Sequence, residues 1–207
     1  MSITLQPSLS FSEKRARDAA FCVIDFETLA FPGVRAAEPW QVGVVRLEGG
    51  VCRTHWDRFL RPGNAEDLKK LAAFLPPGRA MRAFEEASFL HQIWPELKPL
   101  MEGALPVAHQ IGTEKKWLAA AAPGARIGPW IDTLRLARKA WPGLASYALE
   151  DLVRRAALLD ELKRMCPNRS FHDALFDAFA AALLLREILT LPAWRELSLL
   201  DLELIHK

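Results

Sequence analysis

The run Phe21-Cys22-Val23-Ile24-Asp25-Phe26-Glu27 constrains this chain more than any other stretch. Four apolar residues open it and Phe26 continues it, the composition of a strand covered on both faces of a sheet. Yet the run closes on two carboxylates. A carboxylate taken out of water needs hydrogen bonds, a cationic partner or a metal. Strand side chains alternate, so Asp25 and Glu27 point to the same face. That geometry suits the gripping of one cation. The spacing alone does not decide, because Asp201-Leu202-Glu203 repeats it where an exposed amphipathic helix is explanation enough.

Around this strand the pattern is mixed. Ser12–Ala20 reads as a short helix capped by Ser10 or Ser12. After a loop with Pro32 and Gly33, residues 40–48 form a second strand. Gly49-Gly50 marks a turn, and residues 51–62 form a third strand ended by Pro62-Gly63. Short connections make these three an antiparallel meander. Residues 64–75 and 84–101 then show apolar spacings of three and four, the helical period. A short strand at residues 104–110 leads to a helix with Thr113 as its N-cap. Another strand and helix follow in residues 125–140, and Tyr147–Leu159 is helical. In residues 170–189 Phe176, Phe179, Leu183 and Ile188 make one apolar stripe, with Ser170-x-x-Asp173 as a capping box at its start. An amphipathic helix, 193–207, ends the chain. Early strands followed by strand–helix alternation imply one mixed sheet flanked by helices.

Bulk properties narrow the function classes. A chain of 207 residues with 51% hydrophobic and 25% charged residues has ordinary globular composition and a length that suits one domain. A net charge of +2 tolerates a nucleic-acid partner without demanding one. Cys22, Cys52 and Cys166 are odd in number and widely spaced, which argues against a disulfide framework or a zinc site. No secretory signal and no membrane-spanning stretch is recognisable, so the expected location is the cytoplasm and no membrane partner is expected.

Three further acids or histidines stand in informative places. Glu114 falls in the first turn of a helix, where an acid suits the macrodipole without any ligand. His172 and Asp177 are five residues apart, about 140° around a regular helix. They converge only if His172 lies on the loop or in a loosely wound first turn. Ala174, Ala178 and Ala181 flank Asp177 and leave room for close approach by another element or a bound ion.

The ordered segments "VIDFET", "VAHQIGTE" and "HDALFDA" resemble the DEDDh exonucleases, the group that includes ribonuclease T and the epsilon proofreading subunit of bacterial DNA polymerase III. Asp25, Glu27 and Thr28 match the first motif. His109 matches the second, with Gln110 where the family has Asn and Glu114 where it has Asp. His172 and Asp177 match the third in full. The resemblance runs from about Phe21 to Leu189, and "WIDTLRLAR" and "SYALEDLVRRAAL" extend it. The chain departs from the bacterial pattern in Leu29-Ala30 after Thr28 and in Thr113 before Glu114.

The resemblance implies an α/β, ribonuclease H-like fold: a mixed five-stranded sheet flanked by helices, one domain over residues 1–207. Its core would lie at about 21–190, with helices 11–20 and 193–207 as additions. It implies a metal-dependent 3′–5′ exonuclease acting on single-stranded DNA or RNA and releasing nucleoside 5′-monophosphates. Asp25, Glu27, Glu114 and Asp177 would hold two Mg²⁺ or Mn²⁺ ions, since carboxylate oxygens suit hard cations. Histidine titrates ordinarily near neutrality, so His172 suits the removal of a proton from water. Phe26, Thr28, Leu29, His109 and Gln110 are the candidate substrate contacts. The partners implied are a nucleic-acid 3′ end, a DNA polymerase in the case of a proofreading subunit, and a second copy of the chain in the case of a homodimer. An exonuclease fold serving only as an interaction module is the rival that the altered third acid leaves open.

Overall fold

In the computed structural model, residues 14–28, 38–63, 84 and 86–206 are described. Five strands form one sheet: β1 (Ala20–Thr28), β2 (Pro39–Glu48), β3 (Val51–Phe59), β4 (Leu105–Ala108) and β5 (Ile131–Asp132). Their order is β3-β2-β1-β4-β5. β1 and β3 each run antiparallel to β2, whereas β4 and β5 continue parallel to β1. The antiparallel meander expected from the sequence pattern and the mixed five-stranded sheet implied by the resemblance are both present. Gly49 and Gly50, at φ 54° and 78°, make the β2–β3 turn, a backbone that glycine adopts without a Cβ clash.

β1 is buried on both faces, and strict alternation sorts its side chains. Phe21 and Val23 enter one core with Val45, Leu47, Phe176 and Phe179. Cys22, Ile24 and Phe26 enter the other with Val42, Val44, Leu97 and Leu118. The helices are α1 (Trp94–Met101), α2 (Gly112–Ala121), α3 (Thr133–Ala140), α4 (Leu149–Arg155), α5 (Leu159–Met165), α6 (Ala174–Thr190) and α7 (Leu199–His206). α6 is buried along most of its length, and the small residues Ala174, Ala178, Ala181 and Ala182 let it lie closely on the sheet.

Several local expectations are corrected. The described part of the 11–20 segment holds a 3₁₀ turn, Ala16–Asp18, before β1. Pairing with the C-terminal region keeps the chain extended there, since the Ala16 N–H donates to the Leu197 carbonyl at 2.8 Å and Arg15 bridges Ser198. The helix expected over 84–101 is α-helical only from Trp94, with a 3₁₀ turn at Leu90–Gln92 before it. Pro95, which suits a first helical turn, sets that start. α2 starts at Gly112 without a side-chain cap, so Thr113 lies inside its first turn. The 147–159 helix is shorter, and α5 follows it after a break where Ala157 takes φ 55°. Asp173, not Ser170, caps α6, because its carboxylate accepts from the Leu175 and Phe176 N–H groups. The final helix begins only at Leu199, where Ser198 and Asp201 form a reciprocal cap. The helix expected at 64–75 and the loop 29–37 lie outside the described residues.

Candidate active site

The parallel strands β1, β4 and β5 all end on one edge of the sheet, and α6 begins over the same edge. Strand carboxyl ends in α/β sheets are the usual place for a ligand. The first motif reaches this edge on β1, the second in the turn after β4 and the third at the start of α6.

Asp25 and Glu27 share the face of the sheet on which Phe21 and Val23 lie, the face that α6 covers. Gly43 on β2 pairs with Asp25, and Gln41 pairs with Glu27. A Cβ on Gly43 would stand 2.3 Å from the Ala174 backbone, so glycine is what lets the first turn of α6 settle here. Gln41, almost fully buried, fixes the same turn. Its Nε2 donates to Asp173 Oδ2 at 3.1 Å and its Oε1 accepts from the Ala174 N–H at 3.2 Å. Asp177, one turn on, is thereby brought to the two β1 acids.

His172 lies on the loop just before the cap, at φ 70°. That left-handed residue removes the separation a continuous helix would impose. Its backbone N–H donates to Asp177 Oδ2 at 3.1 Å. One ligand atom from each of Glu27, His172 and Asp177 lies within 4.8 Å of the others.

Glu114 arrives from the opposite side. It is only 4% exposed and shares a helix face with Leu118 and Ala121, spaced at four and seven residues. An acid that merely complemented the macrodipole would sit on the solvated face. β4 stops short of the end of β1, and the Glu114 carboxylate takes the Phe26 N–H in the gap.

The electrostatics describe a cluster short of positive charge. Asp25 is pushed well above the usual carboxylate range by burial, then by Asp177, Glu114, Glu27 and Asp173. Burial lifts Glu114 to about 7 against the hydrogen bonds from its own N–H and that of Phe26. It lifts Asp177 to about 7 against the His172 N–H. Glu27 is raised by burial too, while His172 pulls it down. Glu114 Oε2 and Asp177 Oδ1 are buried without a hydrogen-bond partner. An orphaned buried carboxylate oxygen is costly, and a cation satisfies it. The all-oxygen carboxylate set and its two orphans fit hard divalent ions.

The candidate substrate contacts fall in different places. The Phe26 ring packs in the core on the far face, and only its backbone serves the site. Thr28 ends β1 after a register shift at Glu27. Leu29 lies outside the described residues. His109 is held inside: Nε2 lies 3.0 Å from the Tyr147 carbonyl and Nδ1 2.9 Å from Thr133 Oγ1. A carbonyl only accepts, so Nε2 carries the proton. Burial keeps the ring neutral, leaving Nδ1 to accept from the threonine hydroxyl. Gln110 takes φ 69°, and its N–H donates to Asp132 Oδ1 at 3.0 Å. Asp132 also caps α3 through the Leu134 N–H. Sequence reasoning passed over Gln41, Gly43, Asp132 and Arg169. Asp132 had a readable signal, an acid at the junction of an apolar strand and a helix.

No family model matches the chain. It is 27% identical over 178 residues to the DNA polymerase III subunit epsilon of Aquifex aeolicus (strain VF5), covering 83% of this chain and 81% of that one. It is 30% identical over 127 residues to exodeoxyribonuclease 10 of Escherichia coli (strain K12), covering 56% of this chain and 54% of the relative. The match thus spans about half the length of that second relative. In sequence the chain is similar to 3′–5′ exonucleases of the DEDDh type. The likeness to these exonucleases supports a phosphodiester hydrolase activity. The fold agrees with the nuclease domain of 3′hExo, a DEDDh family member bound to rAMP: TM-score 0.64, 14% identity, 85% of this chain and 94% of that one.

Proposed function

We propose that this protein removes nucleotides singly from the 3′ end of single-stranded DNA or RNA and releases nucleoside 5′-monophosphates. Asp25, Glu27, Glu114 and Asp177 would hold two Mg²⁺ or Mn²⁺ ions. The observation that carries this reading is the pair of orphaned oxygens, Glu114 Oε2 and Asp177 Oδ1, inside a carboxylate cluster that resists ionising. Such divalent ions neutralise an anionic phosphodiester and stabilise the attacking and leaving oxygens.

The protein groups supply position and proton transfer. His172, on its loop beside Glu27 and Asp177, takes the proton from the attacking water. The water oxygen bonds to phosphorus as the bond to the 3′ oxygen breaks. Gln41 and Gly43 fix the start of α6, so that Asp177 keeps its place against β1.

The relatives support a nucleic-acid substrate of either sugar: one is named an exodeoxyribonuclease and one is bound to rAMP. Digestion of 5′-labelled single-stranded DNA and RNA with Mg²⁺, Mn²⁺ or a chelator tests the proposal. A ladder shortening from the 3′ end, lost with the chelator, is expected. Undiminished cleavage in chelator contradicts it.

A second reading is favoured by the epsilon likeness over 83% of the chain: proofreading in complex with a DNA polymerase. Retention of a replicative polymerase on the immobilised protein supports that reading. Full activity of the free chain without any such retention opposes it.

A further inference from the structure

His172 belongs to a segment bounded by two left-handed residues, Asn168 at φ 61° and His172 itself at φ 70°. Such a backbone is uncommon outside glycine, and asparagine and histidine are among the residues that accept it most readily. Inside the segment, Arg169 makes the connection to the sheet. Its Nη1 donates to Asp57 Oδ2 at 3.0 Å and to Asp173 Oδ1 at 2.9 Å. Asp57 lies on β3 opposite Gly43, which lies opposite Asp25. The loop of His172 is therefore tied to the same cross-strand row that carries Asp25.

We propose that Asp57, Arg169 and Asp173 form a clamp that positions His172 against the β1 carboxylates. The proposal rests on the exonuclease reading above. Arg169 is a positioning residue that acts through His172. A single guanidinium nitrogen joins one carboxylate from the sheet and one from the residue after His172, closing the loop from both sides. All three side chains are partly buried, which limits the screening that makes open surface pairs weak. Asp177 does not depend on Arg169, because Gln41, Gly43 and the buried length of α6 fix it separately. Loss of the clamp thus frees the histidine and loosens its N–H bond to Asp177, while the Gln41 bond to the Ala174 N–H and the packing of α6 on Gly43 keep that carboxylate in place.

The test is a double-mutant cycle on turnover at saturating Mn²⁺, with Mn²⁺ affinity followed by electron paramagnetic resonance. Arg169→Gln lowers kcat about tenfold to a hundredfold, the scale for a catalytic group misplaced by about 1 Å. KM and Mn²⁺ affinity stay as in the wild type. Arg169→Lys recovers part of the rate, since one ammonium on a shorter stem still meets both carboxylates. In a His172→Ala background, Arg169→Gln adds nothing. An equal loss with and without His172, or a parallel fall in Mn²⁺ affinity, overturns the clamp. Asp57→Asn read through the same cycle replaces Arg169→Gln if circular dichroism shows that variant unfolded. Hydrogen exchange supplies a readout independent of activity. The His172 amide exchanges faster in Arg169→Gln while the interior amides of α6 do not, and unchanged exchange at His172 overturns the proposal. A wild-type protein that digests no nucleic acid defeats the exonuclease reading, and the exchange measurement then decides the clamp alone.

Discussion

Gly43 on β2 and Ala174 at the start of α6 are in such close contact that a methyl group at position 43 would lie 2.3 Å from the Ala174 carbonyl carbon. The atoms it would meet are backbone, which cannot swing aside as a side-chain end can. Gly43→Ala must lift the first turn of α6, and with it His172 and Asp177, away from Asp25. Overpacking of this kind costs about 1–3 kcal/mol or more. For a chain of this size each kcal/mol lowers Tm by about 2–4 °C. A melting temperature lower by about 3–10 °C, with most exonuclease activity lost, is the expected outcome. Unchanged melting and turnover would show that α6 has no need of the glycine.

Stability of the metal-free protein should fall as pH rises. Glu114 and Asp177 titrate at about 7 in the folded chain, and Asp25 is raised as well. In the unfolded chain these groups lose their protons near pH 4. The folded state therefore holds more protons over that interval. The stabilisation is complete below about pH 4 and is lost as pH climbs through about 7. Between about pH 5 and 8 the melting temperature drops in chelator. Saturating Mn²⁺ removes the drop, because the ion replaces the protons. A metal-free melting temperature that rises over this range contradicts the raised carboxylates.

Glu114 separates two readings by the sign of a stability change. On the buried face of α2, Glu114→Gln removes a charge from a crowded cluster, so the metal-free protein melts higher at pH 8 and most activity disappears. An acid serving only the helix dipole gives the reverse: melting falls by a few tenths to about one kcal/mol and turnover is untouched. Glu114→Asp keeps the charge on a shorter stem and retains part of the activity. Turnover and melting temperature of both variants check this.

His172→Ala should slow turnover by about 10²–10⁴-fold, the usual contribution of a positioned general base. Mn²⁺ affinity should change little. Because a ring nitrogen lies within 4.8 Å of ligand atoms of Glu27 and Asp177, a collapse of metal affinity in this variant would make His172 a ligand instead of the base.

The sequence carried the parts of this site that depend on local periodicity. Alternation along β1 put Asp25 and Glu27 on one face, and the apolar stripe of residues 176–188 marked α6. The condition under which His172 and Asp177 converge was also legible, and the left-handed φ of His172 meets it. What could not be read depends on partners distant in sequence. Gln41 reads as an ordinary polar residue until Asp173 and Ala174, more than 130 positions away, are laid against it. The bond from Arg169 to Asp57 spans 112 positions. The start of α6 was misread because Ser170 and Asp173 fit a capping box, whereas tertiary contacts place the cap at Asp173. The inward direction of Glu114 likewise follows from where α2 docks on the end of β1 and not from its own turn.

The most direct measurement is anomalous scattering from crystals of the protein with Mn²⁺ and a nucleoside 5′-monophosphate. The account expects two manganese peaks about 4 Å apart at the carboxyl end of β1, within reach of Asp25, Glu27, Glu114 and Asp177. An Asp177→Ala crystal should lose at least one of them. Manganese confined to other surfaces, with all four carboxylates unoccupied, would contradict the account.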